Sequence, residues 1–141
     1  MSIPQLKKKL TRVFNEYVRL RDVDEYGNGN CISCGNPVKY GSPNIQAGHF
    51  YNAPIETLRY NENNVWVQCK SCNYFKSGNL IEYRKGLEKK IGEEGIKELD
   101  MLAGIYARGG YRHDRFTLEQ KIKEYKDKVK VLKKTKMFEV K

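Results

Sequence analysis

Four cysteines in two closely spaced pairs are the residues of this chain best suited to bind a metal. Cys31 and Cys34 form one Cys-x-x-Cys unit, and Cys69 and Cys72 form the second. Two thiolates at this spacing can share one ion, and zinc accepts four thiolates in a tetrahedral shell that leaves no open position. The sequence therefore predicts a structural zinc. The alternative is four unrelated buried cysteines.

A histidine between the two pairs, His49, is the residue best suited to acid–base chemistry. An imidazole is substantially unprotonated at neutral pH and can activate a water for phosphodiester hydrolysis. The same reaction needs charge neutralisation on the phosphate and help for the leaving oxygen, which Mg²⁺ or Mn²⁺ supplies. The alternative is a hairpin histidine with a structural hydrogen bond. His113 has no partner at a useful spacing and is predicted to be a loop residue.

The strong positive charge of the chain favours a polyanionic partner. Its 141 residues carry 27 lysines and arginines against 17 aspartates and glutamates, which gives a formal net charge of +10. Each phosphate that a basic side chain neutralises releases condensed counterions, so this surplus predicts binding to DNA or another nucleic acid. The alternative is a basic protein that is merely soluble.

Neither a membrane segment nor an export signal is predicted. No apolar run is long enough to span a bilayer, and no apolar stretch of signal-peptide length follows the lysines near the N-terminus. We therefore expect a cytoplasmic protein. In that reducing compartment, cysteines in Cys-x-x-Cys pairs are expected to bind metal rather than form disulfides.

An N-terminal helix and a region of short strands are predicted to position the cysteines and the histidine. Apolar residues recur at spacings of three and four from Leu6 to Leu20, after a capping box of Ser2 and Gln5. We expect this helix to end near Asp24. Glycines and prolines then leave room only for short strands, predicted at residues 44–50, 56–60 and 65–68.

Helices are predicted for the rest of the chain. Asn79 is expected to cap the first of them, and a second covers residues 93–106 and ends at Gly109 and Gly110. A last helix opens with a capping box of Thr117 and Gln120.

The last helix carries a narrow apolar stripe from Leu118 to Leu132, with many lysines on its other faces. Such a helix can pack on the domain, pair with a second copy of the chain, or lie along phosphates.

The motif around the two cysteine pairs resembles that of HNH nucleases with zinc knuckles. Its elements are Cys31-x-x-Cys34, Gly48-His49-Phe50, Asn64 through Cys69, and Cys72-Asn73. This resemblance implies an α+β fold with a zinc-braced ββα-metal core, HNH-like or treble-clef-like, between an N-terminal helix and a C-terminal helical extension. We place these three parts at residues 1–25, 26–92 and 93–141.

A closer resemblance is to the phage recombination protein family NinG, also called Rap. It rests on Ala47 to Phe50, Leu58 to Glu62, Gln68-Cys69, Cys72-Asn73, Ser77 to Asn79, Tyr83-Arg84 and the helical tail. It implies a metal-dependent endonuclease that cleaves branched recombination intermediates such as D-loops and Holliday junctions, in the bacterial host of a phage or prophage. Branch preference comes from the family likeness alone. Recombination proteins are candidate partners, and a symmetric junction would suit a homodimer.

The resemblance assigns roles to three side chains. His49 is the general base, and Asn73 is a ligand of the catalytic divalent ion. Asn64 orients the base and holds the hairpin against the helix that follows the second cysteine pair. The alternatives are a turn residue at Asn64 and a helix cap at Asn73. Many HNH enzymes carry Asp or His before the base, where this chain has Gly48. The ion is then held mostly by water and phosphate, or by another residue, with Gln46 and Asn79 as candidates.

Basic residues around the motif are candidate phosphate contacts, with solvated positions as the alternative. They are Arg59, Lys70, Lys76, Arg84 and Lys85. Trp66 is predicted to fill the core rather than stack on a base.

Two other functions fit the sequence. One is a non-catalytic, zinc-stabilised DNA-binding module in recombination, which Gly48 favours. The other is a zinc-stabilised adaptor whose tail helix pairs with a protein, which predicts weak DNA affinity with a shallow dependence on salt.

Overall fold

Helices at both ends of the chain enclose two short antiparallel hairpins. The computed structural model describes residues 1–52, 55–107 and 111–136. The helices are α1 (Ile3–Arg21), α2 (Glu56–Arg59), α3 (Leu80–Tyr106) and α4 (Arg115–Lys136). The strands are β1 (Asn28–Asn30), β2 (Pro37–Lys39), β3 (Ile45–His49) and β4 (Val65–Cys69). The α+β class predicted from the sequence is confirmed, while the division into three parts stays a prediction.

Helix α1 begins at the capping box that the sequence predicts. The Gln5 N–H donates to Ser2 Oγ at 3.3 Å, and the Ser2 N–H donates to Gln5 Oε1 at 2.8 Å. These bonds satisfy backbone donors that the first turn of a helix leaves without partners. The buried stripe includes Leu10, Phe14 and Val18, which face the rest of the core.

The β3–β4 hairpin lies between α1 on one side and α3 on the other. Its register places Gly48 opposite Trp66 and His49 opposite Val65. Val65 and its strand neighbour Val67 join the buried cluster formed with α1 and α4, whereas Trp66 packs against the cluster of α3. Successive side chains of a strand point to opposite faces, so both faces of this hairpin are covered.

A buried tyrosine ties the hairpin to α3. The Tyr83 hydroxyl donates to the Gly48 carbonyl at 2.7 Å and accepts from the Trp66 N–H at 3.0 Å. Its side chain is fully buried. Gly86, one turn further along α3, lies against the first Cys-x-x-Cys unit, because a Cβ there would come within 1.9 Å of the Ile32 carbonyl oxygen. Helix α3 therefore contacts the hairpin and this unit directly.

Two local predictions were wrong, and a third was right only in part. Residues 56–60 contain α2 rather than a strand. Asn79 stands at the N-cap of α3 as predicted, but its side chain makes no capping hydrogen bond, and its backbone is left-handed, with a φ of 45°. Helix α4 is capped three residues earlier than predicted, because the Asp114 carboxylate accepts from the Thr117 N–H at 2.7 Å. The predicted helix end at Gly109 and Gly110 lies outside the described residues.

The apolar stripe of α4 packs on α1. Leu118, Ile122 and Tyr125 are buried, and the Tyr125 ring meets the Phe14 ring edge-on at 4.9 Å between centroids. Of the three arrangements that the sequence left open for this helix, packing on the domain is the one observed in this part of the stripe. A homodimer stays a prediction.

A buried carboxylate at the start of α2 connects three distant segments. Glu56 accepts from Lys7 Nζ at 2.7 Å, from His113 Nδ1 at 2.8 Å, and from the His113 backbone N–H. Burial alone would raise the pKa of Glu56, but the hydrogen bonds from His113 and Lys7 outweigh it and lower that pKa to about 2. His113 lies between α3 and α4 as predicted, and it is buried with this partner.

We expect the Glu56→Gln substitution to lower the free energy of unfolding by about 3 kcal/mol at neutral pH, because it leaves buried donors and a charge without their carboxylate. Urea unfolding followed by circular dichroism measures this difference. The control is Glu82→Gln, which breaks the exposed Glu82–Lys85 ion pair and should change stability by less than about 1 kcal/mol. Equal effects of the two substitutions would contradict the assigned importance of Glu56.

Candidate metal centre and active site

The four cysteine sulfurs converge on one point. All four Sγ atoms lie within 4.8 Å of one another, and those of Cys34 and Cys69 are 3.7 Å apart. A tetrahedral site with zinc–sulfur bonds of about 2.3 Å has sulfur–sulfur edges of about 3.8 Å. The cluster therefore has the donor type and spacing to hold a metal ion such as zinc.

Hydrogen-bond donors surround the sulfurs. Within each pair, the N–H of the second cysteine donates to the sulfur of the first, at 3.5 Å for both Cys34→Cys31 and Cys72→Cys69. Asn79 Nδ2 adds a donor to Cys72 Sγ at 3.3 Å. Such donors favour the thiolate, which is the metal-binding form. From the sequence, Asn79 is expected to cap a helix or to be a candidate ligand of the catalytic ion. Its approach to the cluster depends on the turn between Cys72 and α3.

Protons and a metal compete for these sulfurs. Burial raises the pKa of Cys72 to about 12 and also raises that of Cys34. Burial opposes ionisation of Cys31 as well, but backbone hydrogen bonds outweigh it and lower that pKa. A divalent cation compensates the charge of four neighbouring thiolates, so metal binding at this cluster releases protons. In the part of the chain that the structure describes, no other set of three His, Cys, Asp or Glu side chains has metal-binding spacing.

His49 stands at the end of β3, and its ring is held by the backbone. Its Nε2 lies 3.0 Å from the Arg59 carbonyl oxygen at the end of α2. A carbonyl can only accept, so Nε2 carries the proton and Nδ1 keeps its lone pair. Burial lowers the pKa of His49 below its usual 6.5, although the hydrogen bond to Arg59 opposes this shift. The ring is therefore neutral at physiological pH and has one basic nitrogen.

Asn64 is fully buried and fastens the loop that follows His49. Its Nδ2 donates to the Tyr51 carbonyl at 3.0 Å and to the Leu58 carbonyl at 2.9 Å. Its Oδ1 accepts from the Tyr51 N–H at 2.9 Å. The Leu58 carbonyl directly precedes the Arg59 carbonyl that holds the imidazole. Asn64 thus positions His49 through the backbone rather than by touching its ring.

Asn73 lies in a single π-helical turn, Ser71–Phe75, and contacts β3. Its Nδ2 donates to Gln46 Oε1 at 2.8 Å. The structure thereby brings together two of the amides considered as ligands for a catalytic ion, while Asn79 lies at the cysteine cluster. Gln46 and His49 are three residues apart on a strand, so their side chains alternate to opposite faces. Neutral amides are weak ligands compared with carboxylates, and no described carboxylate joins them with metal-binding spacing.

Gln68 occupies the space that a side chain at position 48 would need. A Cβ on Gly48 would lie 1.9 Å from Gln68 Oε1. The Gln68 side chain is fully buried, and its Nε2 donates to Ser33 Oγ at 2.8 Å and to the Gly78 carbonyl at 2.6 Å. Gln68 belongs to the family pattern, but the sequence indicates no role for it. It explains sterically why an acidic residue or histidine does not fit before His49.

We expect Gly48→Ala to destabilise the protein by about 2 kcal/mol, because the methyl group collides with Gln68. Gly48→Ala combined with Gln68→Ala should cost less than the sum of the two single changes, since removing the Gln68 side chain relieves the collision. Urea unfolding of the four proteins measures this coupling.

The control for these substitutions is Gly104→Ala on α3, where nothing lies within 4 Å of the added Cβ. It should leave stability unchanged or raise it by about 1 kcal/mol, since alanine favours a helix more than glycine does. Additive effects of the Gly48 and Gln68 changes would show that the steric explanation is wrong.

Acidic residues are scarce in the segment of the chain that carries the cysteines and His49. Residues 31–81 contain two, Glu56 and Glu62. Glu56 is the buried carboxylate at the start of α2, and Glu62 accepts from the hydroxyls of Tyr17 and Tyr125 and from Lys128 Nζ. Both carboxylates of this segment thus have partners within the protein.

The residues predicted to contact phosphates are Arg59, Lys70, Lys76, Arg84 and Lys85. Lys70 and Lys76 are exposed on either side of the π-helical turn. Arg84 and Lys85 lie on α3 and pair with Asp100 at 3.3 Å and Glu82 at 3.1 Å. Exposed pairs of this kind are weak and can exchange for phosphate. Contact with DNA stays a prediction for all five.

Trp66 packs on α3, and a cation covers one face of its ring. The Arg21 guanidinium lies 4.2 Å from the ring centroid, and Lys90 Nζ lies 5.7 Å from it. The Trp66 Nε1–H donates to the Asn63 carbonyl at 2.8 Å.

None of the helices in the described ranges is both long and apolar enough to cross a membrane.

The chain is similar to a group of phage proteins. The family described as Bacteriophage Lambda NinG protein matches residues 2–136. The protein ninG of Escherichia phage lambda is 36% identical over 130 residues, which are 89% of this chain and 56% of that protein. The protein ninG of Salmonella phage P22 is 35% identical over 130 residues, 89% and 57% of the two chains. The protein ninG of Escherichia phage 933W is 34% identical over 114 residues, 80% and 49%.

The chain spans about half the length of these curated relatives. No solved structure matches it. The resemblance to the NinG family that the sequence motifs indicated is confirmed by these matches.

Proposed function

The chain belongs to the bacteriophage lambda NinG protein family, and from that premise we propose that it is a DNA endonuclease that hydrolyses phosphodiesters in branched recombination intermediates. The observation that carries the proposal is the combination of burial, hydrogen bonding and lowered pKa at His49. Its ring is half-buried at the end of β3, its Nε2 is committed to the Arg59 carbonyl, and its pKa is lowered. Those are the properties of a general base that works at neutral pH.

The elements around His49 support an HNH-like interpretation. Strands β3 and β4, the π-helical turn and α3 follow one another around the cysteine cluster, in the order of a ββα-metal core. Asn64 supports the interpretation because it fastens the loop between His49 and β4. We propose that the cysteines hold a structural zinc, which braces this hairpin and fixes the direction of the imidazole.

In the proposed reaction, Nδ1 of His49 accepts a proton from the water that attacks the phosphorus. The Arg59 carbonyl stabilises the imidazolium that forms, because it accepts from Nε2–H in both protonation states. Asn64 keeps that carbonyl in place through its bond to Leu58. Basic side chains such as Lys70 and Lys76 hold the DNA backbone by charge.

Mg²⁺ or Mn²⁺, when bound, would neutralise the phosphate and stabilise the leaving oxygen. The described residues do not form a complete site for such an ion, since Asn73 and Gln46 offer only neutral amide oxygens. We therefore propose that the substrate phosphate and water supply most of its ligands.

The proposed setting is the cytoplasm of a bacterial host cell, with the protein encoded by a phage or prophage. The curated relatives are all proteins of phages. Branched DNA, recombination proteins and a second copy of the chain are the proposed partners.

A cleavage assay on a panel of DNA structures tests the proposal. The panel contains a linear duplex, a flap, a D-loop and a four-way junction, each with Mg²⁺, with Mn²⁺ and with neither. We expect cleavage of branched substrates only when a divalent ion is supplied. Cleavage that persists in excess EDTA would contradict metal-dependent hydrolysis, and uncut DNA under every condition would contradict an endonuclease.

A non-catalytic DNA-binding module is the second candidate. Gln68 fills the place where HNH enzymes carry a ligand, and no described carboxylate stands beside Asn73 at metal-binding spacing. This alternative predicts tight, salt-dependent binding of the same DNA panel without any strand breaks.

A further inference from the structure

Two aromatic rings project from the turn that follows the second cysteine pair. Tyr74 and Phe75 are each 71% exposed, and they pack edge to face with centroids 5.0 Å apart. Large aromatic side chains are seldom left this exposed, since their burial contributes strongly to folding. An exposed aromatic pair on a small protein therefore indicates a binding surface.

The backbone beneath the two rings is held at several points. The Cys72 sulfur joins the metal centre, and the neighbouring Asn73 is bonded to Gln46 on β3. Backbone bonds close the turn from Lys76 N–H to the Ser71 carbonyl at 2.9 Å and from Gly78 N–H to the Cys72 carbonyl at 2.8 Å. The rings are thus presented on a fixed support, so little conformational entropy is lost when a ligand binds them.

The charged residues that flank the two rings along the chain are lysines. Lys70 and Lys76 flank the turn and are exposed, and no acidic residue occurs between Glu62 and Glu82. A polyanion with planar groups complements such a surface, because its phosphates meet the lysines and its planar groups stack on the rings. A protein partner that bound the two rings by hydrophobic contact alone would make no use of the positive charge of the lysines.

We propose that Tyr74 and Phe75 form a stacking surface for unpaired DNA bases, beside the metal centre that includes Cys72. Paired bases in a duplex are stacked on one another and offer no free face, whereas bases at a flap, loop or junction do. The surface would give the chain its affinity for single-stranded segments of branched DNA. The inference deepens the proposed nuclease function, but binding can be tested without cleavage.

The test measures the affinity of the 141-residue, zinc-loaded chain for a fluorescein-labelled oligothymidylate and for a labelled blunt duplex. Fluorescence anisotropy is recorded without added Mg²⁺ or Mn²⁺. We expect Tyr74→Ala/Phe75→Ala to weaken binding to the single strand by about 10-fold or more, because base–aromatic stacking is lost. Binding to the duplex should change by less than about 3-fold, because the lysines remain.

Two further variants separate stacking from hydrophobic docking. Tyr74→Leu/Phe75→Leu keeps an apolar surface without aromatic faces, and it should bind the single strand as weakly as the alanine variant. Phe75→Trp keeps the aromatic face and should bind at least as tightly as the unchanged chain. Recovery in the leucine variant would overturn the proposal and indicate a protein partner, as would an alanine variant that binds the single strand normally.

The matched control is Tyr26→Ala, a tyrosine that is 67% exposed in the turn before β1. It should leave both affinities unchanged. Zinc content and the thermal midpoint of every variant establish that the turn still folds. If the unchanged chain binds single strands through the rings but cuts no DNA, the nuclease proposal fails and this inference stands. If the alanine variant cuts branched DNA with unchanged preference and affinity, the inference fails and the nuclease stands.

Discussion

Replacing His49 with alanine should reduce DNA cleavage by at least about 100-fold, while zinc content and DNA affinity stay unchanged. The reason is that Nδ1 of His49 is the proposed acceptor for the proton of the attacking water, and alanine offers no base. The side chain is only half-buried and makes one hydrogen bond, to the Arg59 carbonyl, so its loss should cost little stability. Nicking of a supercoiled plasmid and of a labelled four-way junction in Mn²⁺ measures the rate.

The second histidine provides the matched control for this substitution. His113 is buried against Glu56, far along the chain from the metal centre. His113→Asn should lower the thermal midpoint, but at a temperature where the variant is folded it should cleave at a rate close to that of the unchanged chain. Full activity of His49→Ala, or equal losses in the two variants, would refute His49 as the base.

The pH dependence of cleavage follows from the same histidine. Burial lowers the pKa of His49 below 6.5, so the ring is neutral at pH 7 and becomes protonated only at lower pH. The rate should therefore hold as pH falls to about 6.5 and decline as pH falls through the lowered pKa, because the imidazolium cannot accept a proton. A pH–rate profile recorded with the zinc content monitored measures this decline. A rate that already falls well above pH 7 would contradict it.

Replacing Cys69 with serine should abolish zinc binding and the cooperative unfolding of the protein. Binding of structural zinc contributes on the order of 10 kcal/mol in small zinc peptides, which is comparable to the total stability of a typical domain. Cys69 is buried at the end of β4, in the hairpin that carries His49. Cleavage should therefore be lost together with the fold rather than through the chemistry.

The exposed Ser71 in the same Cys-x-x-Cys unit offers a matched control. Ser71→Ala should retain about one zinc per chain by elemental analysis, as the unchanged protein does. Circular dichroism and thermal melts compare the two variants before and after chelation. A Cys69→Ser variant with native spectra, or an unchanged chain that stays folded after its metal is removed, would contradict the proposed brace.

Local patterns in the sequence were sufficient for much of this fold. The capping box at Ser2, the start of α3 after Asn79 and the strands β3 and β4 follow from spacing and turn residues. Residues 56–60 were mistaken for a strand because they alternate in polarity over too short a stretch to distinguish strand from helix. The structure shows a short helix there, whose Glu56 is anchored by His113, a residue 57 positions away.

The sequence by itself determined which residues can bind metal and where the helices of the core lie, because Cys-x-x-Cys spacing and helical periodicity are local properties. Tertiary structure alone decided what stands beside the histidine: Gln68 in place of a side chain at Gly48, the Arg59 carbonyl at Nε2, and Asn64 on the loop backbone. Each of these contacts depends on how β3, α2 and β4 approach one another. That approach is set by packing between segments distant in the chain, which no local pattern records.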